Sequence, residues 1–262
     1  MKTQNKFIIT LLICASTLII SCAKDSNPST GDGSGVSSSS NLTFNFTHNF
    51  DGVDVSAANF NQFDFVNQNN DTLNISKLRY LISNIRLFKL NGDSVLIDDY
   101  LLVDVTNSTG LTFSPTDNIP TGAYTGISFT FGFDSLDNTG NYPDLNSASW
   151  SWPPNIGGGY HFMQMEGKYK DMGNDSLYAY HMGTAQPSMG VFEQNYFRAD
   201  LGAINITGDA TIEIKMDIAE WYKNPNLWDL NVMHSTLMSN YNAQRMMNEN
   251  GQSVFSLGTI TQ

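Results

Sequence analysis

Cysteine is nearly absent from this chain: there are two in 262 residues, Cys14 and Cys22. Everything after Cys22 therefore has no disulfide, no thiolate metal ligand and no cysteine nucleophile to draw on. Stability must come from a packed core, for which the length is ample. Basic residues are also few, 13 Lys and Arg against 25 Asp and Glu, giving a formal charge of −12. That balance excludes nucleic acid as a partner, because its phosphates call for Lys and Arg. It suits a chain that holds cations or simply stays soluble. Enzyme signatures are missing as well. There is no Gly-x-Ser-x-Gly elbow, no His-Glu-x-x-His pair, no phosphate loop and no dinucleotide fingerprint. The adjacent carboxylates Asp98 and Asp99 sit beside a hairpin signal and read as solvated. With no nucleophile–base pair to assemble, no catalytic residue is assigned and an enzyme is not expected.

Long hydrophobic runs are confined to one place. Lys2 and Lys6 precede an apolar stretch from Phe7 to Ile20, which has the length of a signal-peptide core and is short for a bilayer span. It ends in Ile19-Ile20-Ser21-Cys22, which resembles the lipobox of bacterial lipoproteins, where the cysteine is acylated and the chain is cut just before it. Residues 1–21 are thus expected to be a signal peptide and Cys22 the lipidation site. Removing them takes two lysines and no acid, so the formal charge moves from −12 to −14. Residues 22–40 are mostly Ser, Gly and Asp and read as a flexible tether. Lys24-Asp25 resembles the charged export tags of Bacteroidota surface lipoproteins.

From Asn41 to the end at Gln262 the pattern is that of one domain. Leu42, Phe44, Phe46 and His48 alternate with polar residues, the period of a half-buried strand. Leu78–Leu90, the Asn91-Gly92 pair and Val95–Ile97 make a hairpin signal. Further strands are expected over Gly126–Asp134, Tyr160–Tyr169, Leu177–Met182, Thr211–Ile218 and Val254–Leu257. The fold class expected is all-β, a β-sandwich of mostly antiparallel strands with one short C-terminal helix. That helix is expected to start at a Ser235 cap and run to about Asn248, stopped by Asn250-Gly251.

The side chains that could bear chemistry are His and Met. Four histidines, His48, His161, His181 and His234, and ten methionines follow Cys22. They recur together, as His161-Phe-Met163-Gln-Met165, as His181-Met182, and as Met233-His234 with Met238 a turn further on. On a strand, His161, Met163 and Met165 would share a face, and at a helix start His234 and Met238 would too. Imidazole and thioether are neutral ligands that suit Cu(I). The plainer reading is that Met fills core gaps and each His meets a local hydrogen bond. Asp134-Ser-Leu-Asp137-Asn138-Thr139-Gly140 through Asp144 is oxygen-rich enough to consider Ca²⁺, although its glycine is misplaced for an EF-hand and a polar turn explains it. Trp150-Ser-Trp152-Pro-Pro, followed by Gly157-Gly158-Gly159, either lines a binding surface or plugs an end of the sandwich.

Several segments, taken in order, resemble the MbnP-like domain, a copper-binding family associated with methanobactin operons. Ser76–Ile85 is similar to its "YxISNI" strand, and Ile119–Tyr124 leading to Phe131–Ser135 to its "IPxGxY … GxDS" stretch. Trp150-Ser-Trp152, Gly159–Met163 and Glu166-Gly167 resemble its "WxWxxGYxFxxxEG" segment, Tyr180–Gly183 its "YHxG" element, and Asn248–Phe255 its usual ending. The resemblance covers about residues 41–258 and fits a Bacteroidota lipoprotein branch. It implies a β-sandwich that binds copper outside the cytoplasm. In some members a tryptophan is oxidised to kynurenine by a di-haem enzyme of the MauG type, and the product helps ligate Cu(I). Trp152, or else Trp150, is the counterpart here, although the insertion Pro153–Gly158 lengthens the spacing. His48 and His181 fall where members often carry histidine, His234 with Met238 resembles a late His/Met element, and His161 lies where relatives vary.

The function expected is a membrane-anchored, extracytoplasmic copper-binding lipoprotein that captures or holds copper for uptake or homeostasis. Its metal ligands would be His48, His181, His234 and Met238, with His161 and Met182 in reserve. Its partners would be the membrane, a MauG-type di-haem oxidase and an outer-membrane transporter, and its place the outer membrane, on the periplasmic or cell-surface side. The alternative is a Trp-rich glycan- or protein-binding module of a surface lipoprotein complex.

Overall fold

Alternation of apolar and polar side chains dominates the structure, a computed structural model that describes residues 38–262. The expected signal peptide, Cys22 and most of the tether lie outside the described residues. Nine long strands carry the fold: β1 (Leu42–Phe50), β2 (Lys77–Lys89), β3 (Ser94–Asp104), β4 (Gly122–Phe131), β5 (Met163–Asp171), β6 (Asn174–Met182), β7 (Phe197–Ile206), β8 (Ala210–Asp217) and β9 (Phe255–Thr261). Two helices join them, the short α1 (Pro143–Ser147) and the C-terminal α2 (Tyr241–Gly251). Among the described residues, no helix is long and apolar enough to cross a membrane.

The strands form two main sheets, as the all-β reading expects. The larger runs β7–β4–β2–β5 and on to two short strands, Thr72–Leu73 and Phe65–Val66, with β3 added to β2 and β6 to β5. β2 is long enough to change partner along one edge. Residues Lys77–Tyr80 pair with β5, whereas Ile82–Lys89 pair with β4. Leu81 is the junction: its N–H donates to the Phe162 carbonyl, and its own carbonyl accepts from Gly132. This forking curls the sheet. The smaller sheet runs β9–β8–β1 with the short strand Val53–Asp54 beyond, and Thr112–Phe113 also pairs with β1. The β1–β8 pair is parallel, from Leu42 opposite Ala210 to Asn49 opposite Asp217.

The core lies between the sheets. Leu42, Phe44, Phe46 and Phe50 of β1 are all buried, one face of an alternating strand. Phe255 of β9 reaches Phe129, Phe131 and Tyr80 of the large sheet at ring-centroid distances of 4.9, 5.6 and 5.9 Å. Aromatic rings bury large apolar areas and favour such tilted contacts, which is how a core without cross-links is held.

The C-terminal helix begins later than the sequence pattern predicts. Thr236 takes a left-handed φ of 58°, Leu237–Ser239 form a single 3₁₀ turn, and α2 starts only after Asn240. The Asn240 side-chain oxygen caps it by accepting from the Ala243 N–H. Ser235 is therefore not the cap, because the Ala179 N–H of β6 donates to the His234 carbonyl and ties this segment to the strand edge instead. His234 and Met238 consequently do not share a helix face.

Candidate metal centre

Two segments converge on the outer face of the large sheet. β5 and β6 form a regular hairpin in which Gln164 lies opposite His181 and Glu166 opposite Ala179. Gln164, Glu166, Ala179 and His181 thus alternate with the core-facing Met163, Met165, Tyr180 and Met182. Met182 is buried on the core side, away from its neighbour His181.

The second segment is the tryptophan loop. The His161 N–H donates to the Trp150 carbonyl and the Trp152 N–H to the Gly159 carbonyl, with Ser151 bridging Tyr160. The insertion Pro153–Gly158 is the return of this small ladder, not a disturbance of it. Gly159 makes the return possible: its φ is 81°, and a Cβ there would lie 2.5 Å from the buried Asn138 side chain, whose oxygen accepts the Tyr160 N–H. Because the chain leaves the β5 register here, His161 does not share a face with Met163 and Met165 as the spacing predicts. Its ring lies against His181, at 5.2 Å between centroids and nearly perpendicular.

Both indoles flank that pair. Trp152 packs edge-on to His161 at 4.9 Å and Trp150 lies 5.6 Å from it. Trp150 is 0% and Trp152 1% exposed, so neither offers a face to a glycan or peptide, which removes the basis for a Trp-rich recognition surface. Trp152 donates its indole N–H to the Ile156 carbonyl and rests on Gly183, where a Cβ would sit 2.5 Å from the ring. Trp150 has its N–H buried without a partner and Arg79 over its ring at 5.0 Å.

Burial keeps the His161 imidazole neutral. His161 is 6% exposed, and burial, with help from His181 and Arg79, pulls its pKa from 6.5 to about 3. Its Nδ1 is buried and has no hydrogen-bond partner. Such an orphaned polar atom is costly and calls for an explanation. The other ring is anchored: His181 Nε2 lies 2.9 Å from Glu166 Oε1, which also accepts from Lys77 Nζ at 2.8 Å. These partners, His181 first, hold the Glu166 carboxyl down at about 2 against the opposing effect of burial.

Beside His181 opens a cavity of about 360 Å³ whose walls include Pro153, Ile156, Leu237 and Met238. Gln244 of α2, a buried residue that pattern reading does not single out, braces this region. Its amide N–H₂ donates to the His181 and Leu237 carbonyls, and its oxygen accepts from the Gly183 N–H.

The other two histidines have hydrogen-bond partners of their own. His48 is buried on β1, where its Nε2 lies 3.1 Å from the Tyr80 hydroxyl, and burial alone lowers its pKa to about 4. His234 turns its Nδ1 to the Leu230 carbonyl at 3.1 Å and lines a neighbouring groove with Glu166 and Tyr178. Among the described residues, no three His, Cys, Asp or Glu side chains converge as a metal cluster. In the Asp134–Asp144 segment, Asp134 accepts from the Leu136 and Asp137 N–H groups and Asp137 from Asn84. Its first two carboxylates are used in building a turn, as the polar-turn reading predicts.

A metal is implied by the family resemblance, and the donors present can be tested against it. Two imidazoles in edge contact, one with an unmatched nitrogen and one beside a cavity bordered by Met238, make a soft and low-coordinate set. That set fits Cu(I) and does not suit Ca²⁺, which takes six to eight oxygens.

Comparison with known proteins agrees with this architecture. The MbnP family model matches residues 39–239. Among solved structures, MbnP from Methylosinus trichosporium superposes with a TM-score of 0.55 at 14% identity, covering 84% of this chain and 99% of that one. Comparison with curated proteins finds no match. With the family model spanning most of the described residues, the chain belongs to the MbnP family, which is associated with the methanobactin copper system.

Proposed function

We propose that this protein is a membrane-anchored, extracytoplasmic copper-binding lipoprotein that captures or holds copper for uptake or homeostasis, without catalysis of its own. The observation that carries the proposal is the buried, unpartnered Nδ1 of His161 in a ring packed against His181 and two indoles. His161 and His181 are the proposed nitrogen donors, and Met238, on the cavity wall shared with His181, the proposed sulfur donor. This shifts the weight from His48 and His234, whose rings are engaged at Tyr80 and Leu230. In this reading copper is cargo. The chain's own part is to exclude water, to keep the buried His161 imidazole neutral and to hold a tryptophan beside the site. Trp152 remains the proposed position of any conversion to kynurenine, with Trp150 as the second candidate. Cys22 is the proposed anchor at the outer membrane, with a MauG-type oxidase and an outer-membrane transporter as proposed partners.

Metal-free protein titrated with Cu(I) against a competing chelator tests the centre. One equivalent should bind, and His161→Ala or His181→Ala should weaken binding at least about tenfold, the loss of a ligand costing well over 1.4 kcal/mol. His48→Ala should leave affinity nearly unchanged. Binding that survives the His161/His181 double substitution would sink the proposal. Intact mass of protein from its own host should show cleavage before Cys22, added acyl chains and any change on tryptophan. An unacylated Cys22 would rule out the anchor.

A further inference from the structure

The contacts of Glu166 carry an inference about which atom of His181 faces the metal, and it rests on the copper reading above. A carboxylate at neutral pH only accepts hydrogen bonds, and an ammonium only donates them. Glu166 Oε1 receives both Lys77 Nζ at 2.8 Å and His181 Nε2 at 2.9 Å, so the imidazole nitrogen turned toward it must be the one that bears hydrogen. The register makes this a built arrangement. Glu166 lies opposite Lys77 on β2 and opposite Ala179 on β6, which puts His181 one diagonal step away on the same face of the sheet. Lys77 and His181 reach the carboxylate from the two neighbouring strands.

We propose that Glu166, steadied by Lys77, is a positioning residue that fixes His181 as its Nε2–H tautomer and leaves Nδ1 as the atom that binds metal. In that tautomer the lone pair lies on Nδ1, away from Glu166. The His161 Nδ1, buried and unpartnered, is the matching atom on the facing ring. Metal-binding imidazoles commonly donate their second N–H to a carboxylate in this way, and losing that partner weakens binding about 10- to 100-fold.

The charge on Lys77 makes the test selective. In Glu166→Gln the ammonium claims the amide oxygen, and the amide N–H₂ then faces His181. Nε2 must now accept, so the proton moves to Nδ1. In Glu166→Gln/Lys77→Met the amide is free to turn its oxygen to His181, and the Nε2–H form returns. Imidazole ¹⁵N shifts of the metal-free protein read the tautomer directly, with His181 assigned by its absence in His181→Ala. The wild type and Lys77→Met should show Nε2–H, and Glu166→Gln should show Nδ1–H with Cu(I) affinity reduced about 10- to 100-fold. The double variant should recover both. An Nδ1–H wild type, or an Nε2–H form that persists in Glu166→Gln, overturns the assignment whether or not copper binds. An Nε2–H wild type that takes up no Cu(I) overturns the copper reading and leaves the tautomer assignment standing.

Discussion

At Gly183 a single absent side chain sets the position of an indole. A Cβ there would lie 2.5 Å from the Trp152 ring, closer than packed atoms come, and Trp152 in turn touches His161. Gly183→Ala should therefore push the indole outward, lowering stability by about 1–3 kcal/mol as overpacked cores do. Thermal melts would show the loss, and Cu(I) titration should show weaker binding through the displaced His161. An alanine variant with unchanged melting and affinity would mean that the ring has room to move. His161 itself illustrates what pattern reading cannot see. Its strand-like spacing to Met163 and Met165 argues for a shared face, but β5 begins only at Met163, the His161 N–H goes to Trp150 instead, and the ring lies against His181. A usable signal does exist. Counting outward from the Met172-Gly173 turn puts Gln164 opposite His181, and so His161 close beyond it. His48, by contrast, is where alternation puts it, on the buried face of β1, but burial alone does not make a ligand.

α2 is the helix that reaches both the core and the candidate centre. Its buried Gln244 bonds to His181, Gly183 and Leu237, so fraying of the first turn would loosen the cavity wall. Asn240 satisfies the otherwise free Ala243 N–H. Asn240→Ala should cost about 0.5–2 kcal/mol in urea unfolding. The same substitution made at Ser235, where the periodicity places the cap, should cost little, and equal losses at both sites would count against the observed start. The strands were far easier to read than this boundary. The β2–β3 hairpin announces itself through Asn91-Gly92, with Gly92 at φ 91°. The helix start does not, because Ser235, Ser239 and Asn240 are all acceptable caps and only the tie from Ala179 to His234 decides among them.

Over the whole molecule, buried neutral histidines make stability depend on pH. His48 has its pKa lowered from 6.5 to about 4 by burial, so between those values the unfolded chain binds a proton that the native one refuses. Stability is then full above pH 6.5 and falls as the pH drops toward 4, by about 2 kcal/mol at pH 4.5 for this group. His161, lowered to about 3, adds a loss of the same sign over a wider window. Denaturant unfolding at pH 7 and 4.5 should show the difference, and His48→Phe should shrink it by roughly the His48 share. A gap that does not change would assign the acid sensitivity to other groups. The two-layer arrangement was readable from alternation, but the pairing of β1 with β8 was not. Period-two patterning says which face of a strand is buried and nothing about which distant strand lies beside it.

That parallel pairing has a bearing on when the smaller sheet can assemble. Asn41 and Asp209, bonded just before the two strands, are 168 residues apart, and the remaining long strand of the smaller sheet is the last in the chain. The parallel pair at the centre of this layer cannot form until the chain as far as Asp217 is present, and contacts of such long range form slowly. If the chain is exported as proposed above, threading a translocation pore while still extended is served by an order of assembly in which the β1–β8 pair waits for the later strand.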